Sequence, residues 1–289
     1  VEIYGLDVRL QPLDLVAVLF FVFVLFGKVK RPKVAKWIDA IVILLLFSLL
    51  YSLTYFAPKE IIIGAFYLLR VLAYFSVFII TNDIVSRNQK LKSALFNLLI
   101  GASFAASVFG WVQYIFYPDL RALTAFGWDD HYFRLIGTFL DPGFTSLIIV
   151  FGFLGVVSKY LKKPSSGLAL LSLFFLAALA FTYSRTGYLA LFAGLLIFLF
   201  LSRKVKIFLA ALAVFAIITL FLPNPGGEGV KLRRVSTVYA RLENYRESVE
   251  LIKKNPLFGV GFNNLCIARQ KFMGFVNTQS HACSGLDSS

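Results

Sequence analysis

The sequence has few charged residues, because Lys, Arg, Asp and Glu together make up 15% of its 289 positions. Soluble domains typically carry about a quarter charged residues. Hydrophobic residues make up 59% of the chain, 32 Phe among them, and the mean hydropathy is +0.79. This composition excludes an ordinary soluble domain and predicts an all-α, polytopic transmembrane helix bundle.

Residues that often hold metals or nucleotides are also scarce. The chain has two His and two Cys, and no CxxC, HExxH, P-loop or GxSxG motif occurs. Asp129, Asp130 and His131 are adjacent, and three adjacent residues do not easily converge on one ion. The sequence therefore predicts neither a metal site nor a cofactor.

Apolar stretches fill most of the first 222 positions. Runs of about 18 or more apolar residues predict membrane-spanning helices, and the first run here is short for a hydrocarbon core of about 30 Å. Prolines fall at the edges of these runs, where a missing N–H does least harm. The predicted spans are 13–27, 37–56, 61–81, 93–116, 143–158, 166–183, 187–202 and 206–222.

Clusters of Lys and Arg determine which face is cytoplasmic. They lie at Lys28–Lys36, Arg87–Lys92, Lys159–Lys163 and Arg203–Lys206, always on the same side of the implied membrane. Short cytoplasmic loops carry the Lys and Arg excess in membrane proteins. We therefore assign the net charge of +14 to topology and anionic lipid headgroups rather than to nucleic acid.

The remaining segments alternate to the outer face, which in a bacterium is the periplasm. They are 1–11, 57–60, 117–142, 181–187 and everything after 222. We thus predict a transmembrane bundle over 1–222 and a periplasmic loop region over 223–289.

The periplasmic region opens with a turn-rich linker and continues with a predicted amphipathic helix at about 235–254. Apolar residues recur there at spacings of three and four, which is typical of a helix: Val238, Leu242, Tyr245, Val249 and Ile252. Asn255 and Pro256 end it, and a glycine-punctuated loop follows over 258–264. Cys266 and Cys283 lie in the same region, where disulfides are permitted, and the sequence leaves their pairing open.

The chain begins with Val1 and ends on GlyLeuAspSerSer. We interpret it as a fragment cut at both ends.

Arginines on the outer face are the candidate functional residues, since few cations are expected there. They are Arg134, Arg185, Arg233, Arg234, Arg241 and Arg246. Arg134 either snorkels to lipid headgroups or binds an anion from a short re-entrant or interfacial segment. Arg185 lies in a hairpin so short that it contacts the bundle, where an Arg must be paired or face a ligand. Flanking Ser184 and Thr186 could cap the following helix.

The arginines of the predicted periplasmic helix have two interpretations. A charged face on such a helix is ordinarily solvated and paired within the helix. Convergent guanidinium groups, however, bind phosphate through planar, bidentate contacts that Lys cannot reproduce. His281 lies beyond the glycine loop, and as a group that titrates near neutral pH it is the natural general base.

Three blocks and a histidine resemble the family of O-antigen ligases and Wzy-type O-antigen polymerases. They are ArgLeuIleGlyThrPheLeuAspProGly at 134–143, ThrTyrSerArgThrGly at 182–187, ArgLeuGluAsnTyrArgGlu through AsnProLeuPheGlyValGlyPheAsnAsn at 241–264, and SerHis at 280–281. Their order and spacing match over about residues 131–289. The long third block is specific, whereas the ArgThrGly hairpin alone is weak. Residues 1–130 fit only as generic transmembrane helices.

This resemblance implies a metal-independent membrane glycosyltransferase of GT-C-type helical architecture in the bacterial inner membrane. Its donor is an undecaprenyl-pyrophosphate-linked glycan, and its acceptor is lipid A–core, a second glycan or a protein. By matching of the blocks, Arg134, Arg185 and either Arg234 or Arg241 bind the pyrophosphate, and His281 assists the acceptor. The family histidine is often followed by Asn, whereas Ala282 follows here. The helices that usually follow this point are absent from the chain.

Two other classes of function stay open. A transporter or flippase for the same lipid-linked glycans needs polar or broken helices at the membrane midplane. These spans are nearly free of buried charge, with Arg70 as the main exception, and this weighs against transport. A non-catalytic assembly subunit would carry the same binding residues without turnover.

Overall fold

In a computed structural model, the chain is described over residues 2–3, 6–7, 12–126, 130–232 and 235–273. Within these ranges the protein is all-α, as predicted, apart from a short pairing of β1 (Glu2–Ile3) with β2 (Leu6–Asp7) and one isolated bridge. The α-helices are α1 (Pro12–Phe26), α2 (Ala35–Tyr51), α3 (Pro58–Arg87), α4 (Gln89–Phe116), α5 (Pro142–Lys162), α6 (Ser166–Phe181), α7 (Arg185–Ser202), α8 (Val205–Leu220), α9 (Ser236–Lys254) and α10 (Leu265–Met273).

The eight predicted apolar stretches correspond to α1–α8 in order. Helices α2, α3, α4, α5 and α7 are long and apolar enough to cross a membrane, whereas α1, α6 and α8 are shorter apolar helices. Many of their large hydrophobic side chains are exposed, as expected for helices that face lipid. The multi-pass character is confirmed, and the number of eight crossings stays a prediction.

Local sequence explains where the helices begin. The prolines at the predicted edges lie at a helix start or between helices. Asp141 caps α5 by accepting from the backbone N–H of Phe144 at 2.5 Å, and Ser184 caps α7 by accepting from Gly187 at 3.2 Å. Such caps satisfy N–H groups that a helix start leaves without intrahelical partners.

The described chain forms two compact units, and the first holds residues 1–92 and 235–289. Helix α3 packs against α1 and α2, and an apolar cluster joins the α2–α3 hairpin to the segment that follows α8. Its buried members are Leu49, Phe56, Ile61, Leu68, Leu251 and Ala268. The predicted periplasmic region therefore docks on a hairpin whose turn was assigned to the same outer face.

A polar contact joins α3 to α1 in the first unit. The Arg70 guanidinium donates to the Asp14 carboxylate at 2.6 Å, and the Tyr74 hydroxyl donates to the same carboxylate at 2.8 Å. Charges within apolar helices are costly unless they are paired. Arg70, the main charged residue within the predicted spans, thus joins α3 to the start of α1.

The second unit holds residues 93–234 and is built around α5. Ile149, Phe153 and Val156 of α5 are buried between α4, α6 and α7. Glycines permit the close approach, because a Cβ at Gly152 would lie 2.5 Å from the Cβ of Ser103 on α4. Small residues at such positions let membrane helices pack closely.

Candidate functional site

The segment before α5 enters the helices of the second unit without being helical itself. Leu135 and Ile136 are fully buried. The Gln113 side chain accepts from the backbone N–H of Ile136 at 3.0 Å and of Gly137 at 3.3 Å, and the Thr145 hydroxyl donates to the Ile136 carbonyl at 2.6 Å. Non-helical backbone is tolerated at such depth when it is buried in protein and hydrogen-bonded.

Arg134 is buried at the start of this segment, with 6% of its surface exposed. Its Nε donates to the Thr182 carbonyl at 3.1 Å and its Nη2 to the Tyr183 carbonyl at 3.3 Å. The backbone N–H of Leu135 donates to the Phe181 carbonyl at 2.9 Å. These carbonyls lie at the C-terminus of α6, where the helix dipole favours a cation. Arg134 therefore holds the turn that leads into α7.

That turn presents Arg185 as the first residue of α7. Tyr183 adopts a left-handed conformation with φ of 49°, and its hydroxyl donates to the Pro223 carbonyl at 2.5 Å. Burial, and then the nearby Tyr114, raise the pKa of Tyr183, so its hydroxyl stays protonated as a donor. Arg185 itself is half-buried.

The first turns of α5 and α7 lie side by side. The Ser146 hydroxyl donates to the Ser184 hydroxyl at 3.1 Å, and a Cβ at Gly187 would lie 2.4 Å from the Ser146 Cβ. Helix N-termini carry partial positive charge and bind anions. Two of them lie near Arg134 and Arg185, and the Asp141 carboxylate caps the one at α5.

The segment after α8 closes over the same place. Pro223 accepts from Tyr183, and a Cβ at Gly229 would lie 3.0 Å from the Cδ of Arg134. Three segments that the topology assigns to the outer face, at 117–142, 181–187 and after 222, therefore meet there.

An ion pair and a cation–π contact order the loop that precedes Arg134. Arg121 donates to both carboxylate oxygens of Asp119, at 2.9 and 2.7 Å, and stacks on the Tyr132 ring with its guanidinium carbon 4.6 Å from the ring centroid. These hydrogen bonds lower the pKa of Asp119 to about 2. His131 is buried next to Tyr132, and its carbonyl accepts from Leu120 at 3.0 Å.

The other predicted site residues are not brought into this arrangement by the described structure. Arg241 is exposed on α9, in the first unit. Arg234, His281 and Cys283 lie outside the described residues, as does the side chain of Cys266. The described structure places Arg134 against the turn at Thr182 and Tyr183 that leads to Arg185, and the roles of both arginines stay predictions.

Several residues of the site escaped sequence reasoning. Gln113 gave a signal, since it is a polar residue within an apolar stretch, but Thr145, Ser146 and Gly187 resemble ordinary small residues of membrane helices. Arg269, which pairs with Glu247 between α10 and α9, lies on a helix that the sequence did not predict.

The glycine-punctuated loop proves to be a docking element within the first unit. Gly261 has φ of 96°, and a Cβ there would lie 2.5 Å from the Ser52 Cβ. The buried Asn264 amide donates to the Ser52 hydroxyl at 3.1 Å, and a Cβ at Gly64 would lie 2.6 Å from the Phe262 carbonyl. The glycines thus let the loop backbone approach α2 and α3 closely.

Metal ligands do not gather in the described ranges, where no group of three or more His, Cys, Asp or Glu could hold an ion. Residues 169–282 match the family model described as O-antigen ligase, so the predicted resemblance is confirmed over that part of the chain. The block around Arg134 precedes the matched segment. No curated protein and no solved structure matches the chain.

Proposed function

We propose, from the match of residues 169–282 to the O-antigen ligase family model, that this chain transfers a glycan from an undecaprenyl-pyrophosphate carrier to an acceptor hydroxyl. The family match supports ligase- or polymerase-type activity in general. The carrier, the periplasmic face of the inner membrane, metal independence and inversion at the anomeric carbon are the specific parts of the proposal. The acceptor is lipid A–core, another glycan or a protein.

One observation carries the assignment of the donor site: Arg134 holds the turn that presents Arg185 at the adjoining N-termini of α5 and α7. Phosphate groups are anions that guanidinium groups and helix N-termini both bind. Arg185 is the contacting group in this proposal. Arg134 adds positive charge beneath it, and Arg234 or Arg241 supplies a further guanidinium.

The reaction needs no external energy source because the carrier diphosphate is the leaving group. The acceptor oxygen attacks the sugar C1, the bond from C1 to the phosphate oxygen breaks, and the acceptor proton passes to His281. Negative charge grows on the departing phosphate, where preorganised Arg185 stabilises it more in the transition state than in the ground state. Attack opposite the diphosphate inverts the anomeric centre.

The direct test incubates the full chain in proteoliposomes with a carrier-linked glycan and candidate acceptors, without nucleotide and with a metal chelator. Formation of a glycosylated acceptor supports the proposal. Movement of the donor between leaflets without a new bond indicates a transporter, and neither event indicates an assembly subunit. Loss of turnover in chelator alone contradicts metal independence but not glycan transfer.

His281 gives a second test of the mechanism. Replacement by Ala removes the proton acceptor, so transfer should fall by a factor of about 10²–10⁴. The matched control is Gln279→Ala, two residues earlier, which should transfer normally. If the two variants have equal rates, His281 is not the general base.

A further inference from the structure

Helix α9 leaves an apolar face exposed while its other side packs into the first unit. Leu251 is buried in the apolar cluster with α2 and α3, and Glu247 pairs with Arg269. The exposed large residues share spacings of three and four, and all have about half or more of their surface accessible: Tyr239, Leu242, Tyr245, Val249 and Ile252.

The charges of α9 are ordered around this face. At about 100° per residue, Arg241 borders the stripe beside Ile252, and Lys253 and Arg246 lie on its other side between Leu242 and Tyr239. Glu250 follows beside Tyr239 and pairs with Arg246 at 3.9 Å, and Glu243 lies about 160° round the helix from Tyr245. Basic side chains beside an apolar stripe can extend to phosphate headgroups while their stems stay in the apolar layer.

The segment that follows α9 reaches below the outer ends of the helices on which it docks. The Ser48 hydroxyl donates to the Phe258 carbonyl at 2.6 Å, and the Phe262 carbonyl contacts Gly64. Ser48 precedes the end of α2 by about 5 Å, and Gly64 follows the start of α3 by about 9 Å, at 1.5 Å rise per residue. Residues 258–262 therefore lie at the level of the membrane boundary.

Exposed apolar residues occur on α2, on the segment after α9 that packs against it, and on α9 itself. Leu50 is exposed on α2, a helix of transmembrane length and apolarity, so lipid covers it. The ring of Phe258 packs on Tyr51 with centroids 5.2 Å apart, and Leu257 next to it is 85% exposed. Ile252 and Val249 are exposed on α9.

We propose that α9 lies in the plane of the outer leaflet, with its apolar stripe at the boundary of headgroups and acyl chains. The occupant of the stripe is the lipid bilayer that already covers α2. Arg241 and Lys253 extend to lipid phosphates, and Glu243 faces water. This inference depends on the exposed surface of the first unit and not on glycan transfer.

The test places a tryptophan on each side of α9 in the full chain, reconstituted into vesicles of phosphatidylcholine brominated near the headgroup end of its acyl chains. Tyr245→Trp probes the stripe, and Glu243→Trp is the matched control on the acidic side. The fluorescence added to that of the parent chain should be quenched about twofold or more in the first variant relative to the second.

Equal quenching of the two variants, or none in either, overturns the proposal. An emission from Tyr245→Trp that is shifted to the blue but not quenched also overturns it, because protein, such as a second copy of the chain, then covers the stripe. Since glycan transfer is not measured, this outcome leaves the proposed function untouched.

Discussion

At the scale of single residues, variants of Arg185 test a catalytic role separately from a structural one. Arg185→Ala should lower kcat/KM for transfer by about 10²–10³, the effect of removing one preorganised donor to a developing anion. Arg185→Lys should restore only part of it, because Lys keeps the charge but not the planar pair of donors. Arg203→Ala, at the other end of α7, is the matched control and should be near normal. Equal losses from both Ala variants would show that Arg185 acts through the helix and not at the donor.

Arg134 should behave differently, since its described contacts are to protein carbonyls. Arg134→Gln leaves the buried carbonyls of Thr182 and Tyr183 without charged donors, and should lower the free energy of unfolding by about 1.5–3 kcal/mol. Unfolding in detergent micelles measures this, with Arg185→Ala as the variant expected to keep its stability. An Arg134→Gln protein as stable as the parent would contradict the structural role.

These two arginines could be found from the sequence for a physical reason. Cations on the outer face oppose the charge bias of membrane topology, so Arg134 and Arg185 stand out without any structure. The different roles of the two arginines could not be predicted, because they depend on which backbone carbonyls each guanidinium contacts. Sequence reasoning gave Arg134 as a headgroup or anion contact, whereas the structure shows it bound to the end of α6.

At the scale of elements, the contact of α5 with α7 aligns their N-termini. Gly187→Ala places a Cβ 2.4 Å from that of Ser146, and overpacking of this kind costs about 1–3 kcal/mol. The matched control is Gly101→Ala in α4, where nothing lies within 4 Å and a better helix former should be neutral or stabilising. The transfer rate and the free energy of unfolding, measured together, should both fall in Gly187→Ala and not in Gly101→Ala. A normal Gly187→Ala protein would show that the two helices do not need this approach.

The helices were predictable and their contacts were not. Apolar length and edge prolines predicted α1–α8, and the spacing of Leu242, Tyr245 and Val249 predicted α9. Helix α10 was missed, since its nine residues include several polar ones and present no long apolar period. The docking of Asn264 on Ser52 joins residues 212 positions apart, and no local pattern encodes such a pair.

At the scale of the whole chain, the predicted topology agrees with the packing of the second unit. The basic clusters assign one face to the cytoplasm, and three segments assigned to the opposite face meet around Arg134 and Arg185 in the second unit. Hydrophobic composition cannot predict that these three segments meet, because it is compatible with any arrangement of the helices in the bundle. The alternation of loops, however, restricts the candidate arginines to one face from the sequence alone.

We propose that the turn at Arg185 binds the diphosphate of a lipid carrier. The most direct test of this proposal is the affinity of the detergent-solubilised chain for undecaprenyl pyrophosphate, compared in the parent, Arg185→Ala and Arg203→Ala. Loss of a charge-assisted contact worth about 1.5–3 kcal/mol predicts that Arg185→Ala binds roughly ten- to a hundredfold more weakly. Arg203→Ala should bind like the parent. Equal affinity in all three proteins would contradict the account.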